Sequence, residues 1–313
     1  MSSSSDIVVV GSHAPGIFLK VKRVPKAGET VIGWDFLEPK DGGKGSNQAI
    51  SIGLLGGKVS FVGCVGRDRI GKDGETWMQE AHVDTTWLRH HERVASGVGF
   101  IILDDNGIPA MVTSLGANAE ISTKQIDDAL TAIKDAKISL TQFEIPLETA
   151  MYAARKAHEL GMQTIINPAP APEHQVEGLG IASFLVPNES EALVLIGKEA
   201  GSSYDEEELV NQLRKKSGAE CVIITLGDKG IIGMDQDGRW KIAPPKVNVV
   251  DTSGAGDVFC AALAVGLVNG KDVRSASDWA CKAASLSVTK AGTIPSYPTL
   301  NEVNDFIISI DKK

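Results

Sequence analysis

The feature that most restricts the fold is a rhythm. Apolar, β-branched runs of strand length alternate with longer helical patterns along most of the chain. Ile7–Val10, Val59–Val65, Lys137–Phe143, Gln163–Ile166, Phe184–Val186 and Cys221–Thr225 read as strands. Gly45–Leu55, Pro146–Leu160 and Glu206–Lys216 read as helices. This alternation predicts an α/β fold, a mostly parallel sheet flanked by helices on both faces. Two regions break the rhythm. Residues 17–38 place Ile17, Leu19 and Val21 on one parity, with Thr30 and Ile32 further on. Gly97–Leu103 and Pro109–Thr113 flank Asp104-Asp105-Asn106-Gly107, a hairpin signal. Together they predict a small β lid, about 16–41 and 97–113, within a single domain over 6–310.

Composition narrows the class. The chain has 313 residues, 42% hydrophobic, enough for a large core. Net charge is −9 with no extended Lys/Arg stripe. Nucleic acid is therefore not an expected partner, since that affinity rests on neutralising phosphates. No run of about 18 apolar residues and no basic-then-apolar leader is present, so a soluble, cytoplasmic protein is expected. Cys64, Cys221, Cys260 and Cys281 are scattered without metal spacing and read as buried free thiols. Met1 and the serines up to Ser5 read as frayed, and His90-His91 as a solvated turn.

The chemistry points to Asp251-Thr252-Ser253-Gly254-Ala255-Gly256-Asp257. A β-like run ending in Val249-Val250 leads into it, and the small apolar run from Val258 follows. This reads as strand, glycine turn and helix start. Backbone N–H groups and the helix dipole there favour an anion. Asp257 is a carboxylate in that anion-favouring place. It suits a base that takes a proton from an attacking hydroxyl. A plain helix start capped by Asp is the bland alternative.

A second glycine segment, Asp41-Gly42-Gly43-Lys44-Gly45-Ser46-Asn47-Gln48, lets a ligand approach the backbone, or is only a flexible loop. Gly66 to Asp73 matches phosphate-loop spacing until Asp73 replaces the required hydroxyl, so a plain helix start is expected. Thr225-Leu226-Gly227-Asp228-Lys229-Gly230 suits phosphates or is an ordinary turn. Asn188 and Glu191 share one helix face and either serve a hydrated Mg²⁺ or form a capping box. Glu144 ends a strand, where it either accepts from a polyol or is simply exposed.

In order and spacing these segments resemble the ribokinase-like (PfkB) family of sugar kinases, from about Asp6 to Phe306. The resemblance implies a ribokinase-like fold, with a lid that also serves a homodimer, and ATP-dependent phosphorylation of a hydroxyl. It implies Asp257 as base and the amides of Gly254, Ala255 and Gly256 as anion hole. Gly42, Gly43, Lys44, Asn47 and Glu144 would face the sugar together with Asp257. Asn188, Thr225, Gly227, Gly230 and Gly256 would serve the nucleotide, and Asn188 with Glu191 the Mg²⁺ region. Positions matching the family's monovalent cation site are Asp251, Ser253, Ser287, Lys290, Gly292 and Ser296, which implies K⁺.

One departure separates the chain from that pattern. After the first strand, ribokinases carry Gly-Ser-x-Asn-x-Asp, whose Asn and Asp bind ribose. This chain reads Gly11-Ser12-His13-Ala14-Pro15-Gly16. Two lost hydrogen bonds weaken ribose binding by roughly 10- to 1,000-fold. The expected acceptor is therefore a sugar or polyol other than ribose, deoxygenated, branched or larger at that end. His13, one position out of register, is a substitute donor. The alternatives are a ribokinase with a compensated site, a nucleoside kinase using Trp34, and a catalytically silent sugar-sensing protein.

Overall fold

The computed structural model describes residues 5–105 and 109–311. Asn106 and Gly107 of the expected hairpin turn lie outside them. The first part of the chain runs β1 (Ile7–Val10), β2 (Gly16–Val21), β3 (Gly33–Leu37), α1 (Gly43–Leu54), β4 (Val59–Gly66), α2 (Arg69–Glu80) and β5 (Asp84–His91). Next come β6 (Val98–Leu103), β7 (Pro109–Ser114), α3 (Thr123–Ala132), β8 (Ile138–Gln142), α4 (Leu147–Glu159) and β9 (Gln163–Asn167). Then follow β10 (Phe184–Leu185), α5 (Glu189–Leu195), α6 (Glu206–Ser217), β11 (Cys221–Thr225), β12 (Ile231–Asp235) and β13 (Gly238–Ile242). The chain closes with α7 (Ala255–Val268), α8 (Val273–Ser287) and α9 (Leu300–Asp311).

The main sheet has the order β13-β12-β11-β10-β9-β8-β1-β4-β5. It is parallel from β11 to β5, with β12 and β13 antiparallel at one edge. The helix-flanked, mostly parallel sheet is as expected. Strand β1 is fully buried, and its side chains alternate between two apolar layers. Ile7 and Val9 join a core with α1, α7 and α8, while Val8 and Val10 join one with α3, α4 and α6. A strand covered on both faces needs no polar side, hence the unbroken run Ile-Val-Val-Val. A separate sheet, β3-β2-β6-β7, carries both regions that broke the rhythm.

Four local expectations fail. No strand precedes α7, because residues 243–250 form an irregular connection. Pro244 and Pro245 lack ladder donors, and Val249 and Val250 are each 56% exposed. Asp257 is therefore positioned by helix packing and not by a strand end. His90 and His91 lie in β5 and not in a turn, with His90 Nε2 3.1 Å from Glu75. Ser5 is buried, its Oγ 2.7 Å from Ser60 Oγ, so the frayed segment stops short of it. Thr30 and Ile32 precede β3 and do not extend the alternation. Residues 66–73 form the plain helix start, in which Asp68 accepts from Gly71 N at 2.9 Å. Among the described residues, no helix is long and apolar enough to cross a membrane.

Candidate active site

Helices α1 and α7 pack together and bring two glycine turns to one place. Gly254 caps α7 at φ +75, a left-handed conformation that glycine adopts without strain. Asp257 follows in the first turn, only 7% exposed. Its Oδ1 accepts from Gln48 Nε2 at 2.9 Å and its Oδ2 from Asn47 Nδ2 at 3.4 Å. Burial pushes its pKa up to about 6. Lys44 and the Gln48 hydrogen bond oppose that rise, while Glu144 and Asp41 add to it. A carboxylate poised there takes a proton near neutral pH better than one left at 3.8.

Gln48 belongs to a buried amide chain. Its Nε2 also donates to Asn167 Oδ1 at 3.0 Å, and Gln142 Nε2 donates to its Oε1. Asn167 Nδ2 in turn donates to Val186 O at 2.8 Å. The chain ties Asp257 to the ends of β8 and β9. In the sequence Gln48 belongs to the glycine segment and carries no task of its own. Its place one residue after Asn47, on the same helical turn, is the signal that marks it.

Lys44, Asn188, Glu191, Thr225, Gly254, Gly256 and Asp257 line one cavity, with Cys260 one turn beyond. Burial works to lower the Lys44 pKa, but the carboxylates of Asp257, Glu144 and Glu191 outweigh it and raise it. Lys44 thus remains a cation where phosphate charge would gather. Asn188 and Glu191 form the capping box, with Asn188 Oδ1 and Glu191 Oε2 each accepting a backbone N–H at 2.8 Å. Burial raises the Glu191 pKa. Both still line the cavity, so the structural reading holds without removing the pair from it. Ala255 N donates to Thr252 O at a long 3.3 Å, a bond for which an incoming oxygen would compete.

At the α1 end, Asn47 Oδ1 accepts from Gly42 N at 2.9 Å and its Nδ2 donates to Asp41 Oδ1 at 2.8 Å. Glu144 Oε2 accepts from Ser12 Oγ at 2.7 Å and from Lys44 N at 2.8 Å. Gly43 sits at φ +70, where a Cβ would come within 2.9 Å of Ala14 O. Gly227 borders open space after β11. At Gly230 a Cβ would lie 2.0 Å from Ile242 O, and neither Gly227 nor Gly230 is part of the cavity lining. Asp251 accepts from Ser253 N and Gly292 N, both at 2.9 Å, pinning two loops together. Lys290 N donates to Ser287 O at 3.2 Å, but Lys290 Nζ turns to Glu302. Ser296 is buried, with its Oγ on Thr293 O.

His13 does not act as the substitute donor. Its ring is buried against Gly74 and Trp77, with Nδ1 3.0 Å from Ser46 Oγ and Nε2 3.2 Å from Ile70 O. Burial lowers its pKa to about 4. One residue out of register on an extended segment turns the side chain to the opposite side.

The arrangement unites an anion-favouring helix start, a buried carboxylate and a partly buried cation. The model for the pfkB family carbohydrate kinases matches residues 5–300. The chain belongs to the pfkB family of carbohydrate kinases. As a member it is an ATP-dependent sugar kinase. It is 31% identical to the ribokinase of Schizosaccharomyces pombe over 307 residues, covering 96% of each chain. It is 32% identical to the deoxyribokinase of Salmonella typhi over 303 residues, covering 96% of this chain and 98% of that one. The structure of Arabidopsis thaliana ribokinase complexed with ribose and ATP superposes with a TM-score of 0.87 at 31% identity, covering 97% of this kinase and 99% of that chain.

Proposed function

We propose that this kinase transfers the γ-phosphoryl group of ATP to a hydroxyl of a small sugar or polyol other than ribose. The observation that carries the reading is Asp257, buried at the start of α7 and held by Gln48. Asp257 takes the proton of the attacking hydroxyl. The first amides of α7, from Gly254 to Gly256, and the Lys44 ammonium stabilise the charge that spreads over the transferring group. Thr225 and Gly227 border the nucleotide phosphates. Gly43, Asn47 and Glu144 form the acceptor end. The small sheet acts as a lid that excludes water and limits idle ATP hydrolysis.

Asn188 and Glu191 fit a Mg²⁺ region. Each spends one oxygen on the capping box, and a single carboxylate with room for waters suits this ion. Mg²⁺ supplies charge neutralisation of the ATP phosphates when bound. For K⁺, both Asp251 oxygens are already engaged, so backbone carbonyls of the two pinned loops would hold it. Buried free cysteines suit a reducing, cytoplasmic setting.

Ala14 and Gly16 support an acceptor other than ribose, while relatives named ribokinase favour a compensated ribose site. ATP consumption with Mg²⁺, with and without K⁺, across pentoses, hexoses, deoxy sugars, polyols and nucleosides separates the readings. Sugar-dependent ADP release is expected. Turnover confined to nucleosides, or none at all, contradicts the proposal.

The small sheet exposes apolar side chains, and its register puts Leu37 and Met111 on one face, in a row through Phe18 and Ile101. Ile32 is 91% exposed, and Phe36, Leu37, Met111 and Val112 are exposed with it. Such a patch marks an interaction site. A homodimer through this sheet is proposed. Light scattering is expected to give a dimer for the wild type and a monomer for Leu37→Glu with Met111→Glu. A wild-type monomer contradicts it.

A further inference from the structure

The departure at Ala14 and Gly16 leaves one end of the acceptor pocket without the family's polar side chains. The structure brings one other polar group to that end and sets a second over the Gly254 turn. Asp41 reaches that end from the opposite wall, just before α1. Its Oδ2 accepts from Gly16 N at 3.0 Å and its Oδ1 from Asn47 Nδ2 at 2.8 Å. A Cβ built on Gly16 would lie 3.2 Å from Asp41 Oδ2. The carboxylate therefore occupies the space that a side chain at position 16 would enter. Two backbone and amide donors fix its orientation, and a carboxylate has further lone pairs to offer.

Tyr297, after α8, supplies the second group. The residue is 4% exposed, and its Oη has no well-aligned hydrogen-bond partner among the described residues, although the Asp257 carboxylate lies near enough to accept from it. A buried hydroxyl left unpaired costs free energy unless something completes it. The Oη lies over Gly254, 2.5 Å from where a Cβ of that residue would stand. Burial, then the charges of Asp257 and Asp41, a hydrogen bond to Asp257 and, more weakly, the charge of Glu144 push the Tyr297 pKa well up. The group thus faces the same carboxylates that surround the acceptor end and remains a phenol able to donate.

We propose that Asp41 and Tyr297 read the hydroxyls of the acceptor in place of the side chains absent at Ala14 and Gly16. This rests on Asp257 being the base beside which the acceptor binds. Asp41 accepts from one acceptor hydroxyl and Tyr297 donates to another. Three carboxylates, Asp41, Glu144 and Asp257, converge there with the ammonium of Lys44. Such a pocket admits a neutral polyhydroxylated acceptor and repels sugar acids and sugar phosphates.

The test uses the full chain with ATP and Mg²⁺. Initial rates are measured with ribose, deoxyribose, fructose and erythritol as neutral acceptors, and with gluconate and ribose phosphate as anionic ones. The neutral acceptor with the highest wild-type kcat/KM is then used with the isosteric variants Asp41→Asn and Tyr297→Phe. Each variant is expected to raise the KM for that acceptor by about 10-fold. The KM for ATP should stay within about 2-fold, and the preference among neutral acceptors should change, which a fold-wide disturbance would not produce. An unchanged acceptor KM in both variants overturns this inference and leaves the kinase reading standing. So does a wild type that prefers gluconate or ribose phosphate. Wild-type turnover with none of these acceptors overturns the kinase reading and this inference with it.

Discussion

Asp257→Asn is expected to lower turnover by at least ~10²-fold, the scale of a lost general base. The same substitution is expected to stabilise the protein at neutral pH. Burial holds the folded-state pKa at about 6, against 3.8 for a free carboxyl. Keeping Asp257 ionised therefore works against folding. The shift corresponds to about 3 kcal/mol, absent below about pH 4 and fully present above about pH 6. Asn carries no charge and escapes it. Melting temperatures of wild type and variant should converge in acid, and the variant should melt higher from about pH 6 upward. In the wild type, kcat/KM should fall on the acid side with an apparent pKa of about 6, since that ratio reports the free enzyme. An active Asp257→Asn enzyme, or an acid limb near 4, contradicts the role given to this carboxyl.

Gly254→Ala is the second large effect. A side chain at φ +75 is strained by about 1–3 kcal/mol. Its Cβ would also stand 2.5 Å from Tyr297 Oη and 2.8 Å from Thr293 Cγ2. Relief requires the turn to shift, and the first amides of α7 shift with it. Losing one well-aimed donor to a developing oxyanion costs about 10²- to 10³-fold in turnover. Gly254→Ala should therefore melt lower and turn over at least ~10²-fold more slowly. Gly256→Ala is the stability control, because a Cβ there meets nothing within 4 Å. Its melting temperature should stay close to that of the wild type. If Gly254→Ala keeps full turnover, the α7 amides do not form the anion hole.

The sheet was legible because its information is local. Fully apolar runs such as Ile7–Val10 and Cys221–Thr225 declare strands buried on both faces, and the structure places both inside the sheet, each third from an edge. Val249-Val250 misled because β-branched residues promise a strand only where partners and burial follow, and here Pro244 and Pro245 precede two exposed valines. The glycine turns were legible too, since a left-handed Gly254 before a small-residue helix is written in the sequence itself. What was not legible is what these turns touch. Gln48 and Asp257 hydrogen-bond across 209 residues, and no local pattern announces it. No pattern in the sequence marks Tyr297, and only the packing of its ring against Gly254 gives its hydroxyl a place to act. Asn188 and Glu191 were ambiguous for a physical reason. The spacing that forms a capping box is also the spacing that puts two ligands on one helix face, and here both residues cap α5 and line the cavity.

We propose that the phosphoryl-transfer half of this site follows the family while the acceptor half is rebuilt. The most direct measurement is the ratio of kcat/KM for ribose to that for the best other neutral sugar, with ATP and Mg²⁺ saturating. A ratio below about one-tenth is expected, because no side chain at Ala14 or Gly16 meets the ribose hydroxyls and Asp41 and Tyr297 read a differently placed set. A ratio near or above one would contradict it and make this chain a ribose kinase.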